Sequence, residues 1–399
     1  MSSRPKLSGT LSALLLTTAC AGFNIPDNLE LVAQGQGYQA QYREPDVTFA
    51  ETDLLRSEAM NAQKCLPLGG TVGIGSSIAA SVLRVESLSR NDLLDVRIAE
   101  DDIFNGSYVV SRDGMLKLPF LHPIRAQGRS TDQVEADILN ALLVDKFYQD
   151  PPRISVRVTD FGSISVGVSG AVFEPHGVEI GGVRGDVVDS RRQMASGASN
   201  EGRNLSAALR AAGGVRPDAD ISAVEVRRGG NTYRLDMRGV FEGRNTFDIM
   251  LLTGDEVSVP SRLCFQDDLM RPTPISPPGV SLFLSNLTQP AQGNAASGVV
   301  QTVRQVAYGS RYMQALIDAN CVGGSRVTSA RRSAILFSRN PMTGVSVVIE
   351  RDIEGLMRRA DRDDYDPYLL PGDAIACYDS TITNIAEIGR VLGAVTLIP

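Results

Sequence analysis

The chain has 399 residues, a formal net charge of −7, 43% hydrophobic residues and no tryptophan. That length exceeds what one hydrophobic core usually organises, so several domains in series are expected. Acidic and basic residues are interspersed, which argues against a nucleic-acid footprint. With His122 and His176 as the only histidines, a histidine-based metal or acid–base site has little material, and no cofactor or metal is expected.

The N-terminus carries Arg4 and Lys6, then the apolar run LSALLL (Leu11–Leu16), then TTAC, the layout of a secretory signal peptide over residues 1–20. Thr18 and Ala19 before Cys20 resemble a bacterial lipobox, in which the cysteine is lipidated and becomes the mature N-terminus. Thr17 stands where that pattern has Leu, Val or Ile, and ordinary signal-peptidase cleavage is the other outcome. Ala21 after the cysteine, in place of Asp, implies by the same resemblance an outer-membrane address.

Residues 21–85 are polar, then Gly-rich (LGGTVGIGSS, Leu68–Ser77), and their weak periodicity supports no assignment. From Glu86 the pattern sharpens. DLLDVRI alternates, and GSYVVSRDGMLKLPF (Gly106–Phe120) reads as two strands joined by a hairpin turn at Asp113 and Gly114. Ser130 or Thr131 can cap a helix with Val134, Ile138, Leu139 and Leu142 on one face, ended by Tyr148 and the Pro151–Pro152 pair. RISVRV (Arg153–Val158) is a further strand, so residues 86–160 form a small α+β unit.

Beyond it the chain says one thing twice. LSAALRAAGG (Leu205–Gly214), AVEVRR (Ala223–Arg228), YRLDMRG (Tyr233–Gly239) and LLTGDEVSVP (Leu251–Pro260) recur as YMQALIDANCVGG (Tyr312–Gly324), AILFSR (Ala334–Arg339), ERDIEG (Glu350–Gly355) and LPGDAIACYD (Leu370–Asp379). Leu209 answers to Leu316, Asp236 to Asp352 and Gly254 to Gly372, so helix, strand, strand and Gly-Asp turn are duplicated. Between Gly181 and Asn200 lies an insertion of small and charged residues, expected as a surface loop with a helical stretch near Val187–Ala195. RPTPISPPG (Arg271–Gly279) joins the copies, and SLFLSNLTQP (Ser281–Pro290) echoes the opening of the first.

Without Cys20, four cysteines remain for an oxidising compartment, and three pairings are possible. Cys321 and Cys377 both belong to the second copy, where the first has Gly214 or its neighbour and Val259. Their joint appearance points to a bridge, which leaves Cys65 with Cys264; four buried free thiols are the alternative.

Several of these motifs occur together in one order. DLLDVRI, Phe104, Gly106, Tyr108, Val110, Asp113, Gly114, Leu116, Leu118, Pro119, the T-x-x-V-E helix and Y-x-D-P-P-x-I-S-V-x-V resemble the export signature of Wza-like outer-membrane polysaccharide export proteins. VSGAVFEPHGVEI (Val168–Ile180), AAGG and TGDEVSVP resemble that family's soluble-ligand-binding β-grasp (SLBB) domain. Asn91 replaces the usual Gly before Asp92, His122 stands where Gly is common, and Pro-His-Gly replaces Pro-Gly at Pro175–Gly177. The resemblance implies an α+β chain with an export-signature domain at 86–160, SLBB/β-grasp-like domains at 161–262 and 263–379, and a C-terminal amphipathic transmembrane helix at 380–399.

That tail, TITNIAEIGRVLGAVTLIP, can form a helix capped at Thr381 or Asn384. At ~1.5 Å per residue it reaches ~27 Å, close to the ~30 Å hydrocarbon thickness. Thr383, Glu387, Arg390 and Ala394 fall on one narrow face, and Ile385, Ile388, Leu392 and Val395 lie almost opposite. Glu387 and Arg390 facing lipid would cost a few kcal/mol each, at roughly the level of charged groups near a bilayer centre. A ring of such helices turns the first set to a water-filled pore and the second to lipid. A helix lying on the soluble body or a membrane surface is the competing form.

The resemblance further implies a homo-oligomer, around eight copies, that passes capsular polysaccharide or exopolysaccharide from periplasm to cell surface in a Gram-negative outer membrane. It also implies an inner-membrane polysaccharide co-polymerase, often with a tyrosine autokinase, as partner. A periplasmic glycan-binding or adaptor lipoprotein that does not span the membrane is the alternative. A hydrolase built on Asp236 and Asp352 is disfavoured, because the duplication places these carboxylates in separate modules. No enzyme activity is expected.

Overall fold

The computed structural model describes residues 37–45, 56–65, 83, 85–181, 201–244, 248–286, 303–319, 321 and 333–378. In β1 (Leu93–Ile98) Leu94, Val96 and Ile98 are buried while Arg97 is exposed, the period-two alternation of a strand with one covered face. It is the centre of a three-stranded antiparallel sheet, between β2 (Gly106–Val109) and β5 (Ile154–Asp160). Asn91, just before it, adopts φ +67°, a region that glycine reaches without strain and asparagine tolerates.

The segments read as a hairpin about Asp113 and Gly114 lie in different ladders. The turn is present, with Gly114 at φ +79° and its N–H donating to Ser111 O at 2.8 Å. However, β3 (Met115–Leu116) pairs with β4 (Ile124–Arg125) and not with β2. Leu116, Leu118 and Ile124 are drawn into the domain core, which carries this segment over the sheet instead of along its edge.

α1 and α2 are the helices Ser57–Lys64 and Thr131–Val144. Ser130 caps α2 reciprocally: its Oγ accepts from Gln133 N at 3.3 Å, and Gln133 Oε1 accepts from Ser130 N at 3.2 Å. Val134, Ile138, Ala141 and Leu142 are the buried face. Leu139, expected there, is only half-buried. The helix ends before Tyr148, because Lys146 turns to φ +60°.

Two five-stranded sheets follow. The first module is β6 (Ile164–Gly170), β7 (His176–Ile180), α3 (Leu205–Ala211), β8 (Val224–Arg228), β9 (Asn231–Leu235), α4 (Arg238–Phe241) and β10 (Glu256–Val259). The second is β11 (Val280–Asn286), β12 (Val303–Val306), α5 (Tyr312–Asp318), β13 (Ser333–Arg339), β14 (Ser346–Asp352), α6 (Ile353–Arg358) and β15 (Ala374–Tyr378). Their strand orders are β7-β6-β10-β8-β9 and β12-β11-β15-β13-β14, one topology used twice, with the first and last strands of each module parallel.

The likeness extends to single hydrogen bonds. Leu205 N donates to Ile249 O at 2.9 Å as Tyr312 N does to Pro367 O at 2.8 Å. Asp248 accepts from Ser206 N at 3.1 Å as Asp366 accepts from Met313 N at 2.8 Å. Gly254 and Gly372, at φ +91° and +89°, make the turn that Asp255 and Asp373 close by accepting from Leu252 N and Leu370 N at 2.8 and 2.9 Å. Leu209 and Leu316 are each fully buried in their own module's core. The insertion at 182–200 lies outside the described residues.

Candidate functional site at the module junctions

Each module presents the same corner, where the Gly-Asp turn meets the end of its third strand, and each corner is covered by a segment from earlier in the chain. In the first module Arg228, the last residue of β8, donates to Asp255, with Nη2–Oδ2 at 2.6 Å, and to Met250 O at 2.8 Å. The α+β unit of residues 86–160 packs beside it. Ser89 Oγ lies 3.2 Å from Thr253 Oγ1, and Met250 and Leu252 join that domain's core.

The junction is fastened by a buried ion pair. Arg203 Nη1 reaches Asp92 Oδ1 at 2.6 Å, the two side chains being 1% and 0% exposed. Asp92 also accepts from Ser89 N at 2.7 Å and Gly162 N at 3.1 Å, and the Arg203 guanidinium sits over the Phe161 ring. Burial raises the Asp92 carboxyl above its ordinary value, opposed by Arg203 and the two backbone donors. A Cβ on Gly162 would come within 2.8 Å of Asn91, so the close approach needs glycine.

In the second module the cover is an N-terminal strap, residues 37–43, every one of them buried. Matching the registers Arg227↔Glu256 and Phe337↔Ala374 puts Ser338 where the first module has Arg228. Ser338 Oγ donates to Asp373 Oδ1 at 2.7 Å, and the Tyr42 hydroxyl lies 2.9 Å from Ser338. Burial pushes Asp373 up to about 7.

Likewise Arg351 stands where the first module has Leu235. Its Nη2 donates to Gln41 O and Arg43 O at 3.0 and 2.9 Å, and its Nε to Tyr365 O at 3.0 Å. Gln39 pairs with the backbone of Tyr368 in both directions, at 2.9 and 2.8 Å. Asn61 of α1 accepts from Ala40 N at 3.0 Å and donates to Asp267 Oδ1 at 2.8 Å; burial raises Asp267 to about 6. The Tyr38 hydroxyl crosses to the first module, donating to Asp218 Oδ1 at 2.8 Å.

Cys65, at the end of α1, is bridged to Cys264 with Cα atoms 5.2 Å apart, and Cys321 to Cys377 at 6.0 Å. The first bridge ties α1, whose Asn61 holds the strap at Ala40, to the inter-module joint; the second ties the region after α5 to β15. The strap is the element of these junctions that sequence reasoning missed. Its one legible signal was Cys65 paired by elimination with a residue between the two copies.

Asp236 and Asp352 lie in different modules, each engaged by its own neighbours. Asp236 takes a bidentate bond from Arg238, with Nη2–Oδ2 at 2.7 Å, and Asp352 caps α6 by accepting from Gly355 N at 3.3 Å. His122 Nδ1 is 3.5 Å from Asp145, and His176 faces Glu174 O. Among the described residues no group of three His, Cys, Asp or Glu side chains is placed to hold a metal. A cavity of about 820 Å³ lies between α1, α4 and residues 262–271, lined by Asn61, Phe241, Arg262 and Asp267 among others.

Cys20, the tail set Thr383, Glu387, Arg390 and Ala394, and the set Ile385, Ile388, Leu392 and Val395 lie outside the described residues. No described helix is long and apolar enough to cross a membrane.

Residues 82–159 match the family described as polysaccharide biosynthesis/export protein, so the α+β unit at the first junction is a domain of that family. The chain is also similar to the EPS I polysaccharide export outer membrane protein EpsA of Ralstonia solanacearum, 28% identical over 192 residues, which is 47% of this chain and 45% of the relative. Its counterpart from Ralstonia nicotianae is 27% identical over the same shares. The chain thus spans less than half the length of the curated relatives it matches.

Proposed function

We propose that this chain, which carries a polysaccharide biosynthesis/export domain, is the subunit of an outer-membrane channel for capsular polysaccharide or exopolysaccharide. The observation that carries the reading is the family match over residues 82–159. It is supported by a relative named as a polysaccharide export outer membrane protein. The two modules of one topology are read as β-grasp domains stacked on the export domain.

In this reading several copies close into a ring around a wide vestibule. Residues 380–399 cross the membrane, with Thr383, Glu387, Arg390 and Ala394 facing the lumen and Ile385, Ile388, Leu392 and Val395 facing lipid. Transport needs no bond chemistry. A hydrated polymer is passed along a wet wall, so the protein supplies rigidity and an aperture. The buried Asp92–Arg203 pair and the strap keep export domain and modules in one orientation, as a stacked conduit requires. Lipidated Cys20 anchors the assembly, and an inner-membrane co-polymerase with its autokinase meets the export domains.

Deleting residues 380–399 tests the reading. Surface polysaccharide should be lost while the soluble body still folds. Undiminished surface polysaccharide would favour a periplasmic adaptor or glycan-binding lipoprotein instead.

A further inference from the structure

We propose that neighbouring copies join by adding strand β9 of one to strand β7 of the next, antiparallel, so that the first module's sheet continues from subunit to subunit. The proposal rests on the ring reading and names the surface that would close it.

Strands β7 and β9 are the two edges of the first module's sheet, and neither has a ladder partner on its outer side among the described residues. Open edges with unpaired backbone groups are templates for another strand, and folded chains usually cover or blunt them. Here both are left: β9 is exposed or half-exposed along its whole length, and β7 is exposed at His176, Gly177 and Glu179. In the second module, by contrast, edge strand β14 is buried at Val347, Val348 and Ile349.

Strand direction decides what can pair. β7 runs antiparallel to β6, β6 runs parallel to β10, and β8 reverses that direction before β9 restores it. The two edges therefore run in opposite senses, and a rotation about an axis along the strands brings β9 against the next β7 as an antiparallel pair. The export domain's sheet cannot do this. Its edges β2 and β5 are both antiparallel to β1, so a continued sheet there would need a parallel pairing with the four-residue β2.

The side chains match on both faces. Following the register across the sheet puts Glu179 on β7 and Arg234 on β9 on the same solvent face. Arg234 holds Glu225 at 3.2 Å yet is 69% exposed, and Glu179 is exposed beside Ser163, whose hydroxyl it accepts at 2.6 Å. On the opposite face Tyr233 and Leu235 are only half-covered at one edge, while Val178 and Ile180 belong to the core at the other. Any stagger by an even number of residues keeps apolar face against apolar face, and the register that sets Glu179 directly opposite Arg234 also puts acid against base. The occupant this fits is a second copy of the same chain, because each edge supplies what the other lacks.

The test uses the full chain in mild detergent. A variant with Glu179→Cys and Arg234→Cys is treated with a short bis-maleimide, and each single variant serves as control. The expected result is a ladder of covalent multimers from the double variant that neither single variant gives. Arg234→Glu should weaken assembly by about fivefold per contact at low salt, and adding Glu179→Arg should restore it. An assembly of ring mass with no such ladder overturns the strand pairing and leaves the ring reading standing. A parent chain that is monomeric in detergent overturns both. Crosslinks only to a different polypeptide assign these edges to another partner and overturn the proposal.

Discussion

Replacing Asp373 by Asn removes a buried carboxyl that burial lifts from its ordinary 3.8 to about 7. Where the first module sets Arg228 against Asp255, the second offers Ser338 Oγ at 2.7 Å and, behind it, the strap's Tyr42. Because its folded value is raised, Asp373 keeps its proton in the folded chain at pH values where the unfolded chain has lost it. Its contribution to stability is therefore full below about pH 4 and is lost as pH rises through about 7. At about 1.4 kcal/mol per pH unit, that displacement is worth about 4 kcal/mol. Asp366 and Asp267, each raised by burial to about 6, add slope of the same sign. Urea unfolding followed from about pH 4 to about pH 8 should show the parent losing stability with rising pH and Asp373→Asn losing clearly less. Identical slopes for parent and variant would refute the reasoning, because Asp373 would then ionise freely in the folded chain.

Asp92→Ala leaves Arg203 buried without its partner and should destabilise the chain by about 3–5 kcal/mol in urea unfolding, whereas replacing both residues by Leu should recover much of the loss. Removing the Cys65–Cys264 bridge, which closes a sequence separation of 199 residues, should cost about 2–5 kcal/mol and make the strap the first segment cut in limited proteolysis. Arg351→Leu strips the donor from Gln41 O and Arg43 O and should release the strap similarly, with the export domain's own unfolding unchanged. Ser130→Ala should lower stability by about 1 kcal/mol through loss of the cap on α2.

The duplication was legible because its anchors are residues whose roles are local. Gly254 and Gly372 need a positive φ, their neighbouring aspartates close the same turn, and Leu209 and Leu316 fill the same place under a helix. The hairpin at Asp113–Gly114 was misread for a related reason. A turn signal states that the chain reverses, and it is silent on which sheet receives the returning strand. The strap was illegible because Tyr38, Gln39 and Tyr42 follow no strand or helix period, and their partners lie 180, 329 and 296 residues away. Ser338 and Arg351 gain meaning only when the two sheets are put in register and Arg228 and Leu235 appear opposite them. The Asp92–Arg203 pair was equally hidden, since nothing in the spacing of two charges 111 residues apart marks them as partners.

The central claim is that copies of this chain surround a water-filled passage. Its most direct test is the mass of the detergent-solubilised assembly, measured beside the form lacking residues 380–399. The account expects a closed multimer of several copies for the full chain and loss of detergent dependence for the shortened one. A full-length chain of single-subunit mass would contradict it.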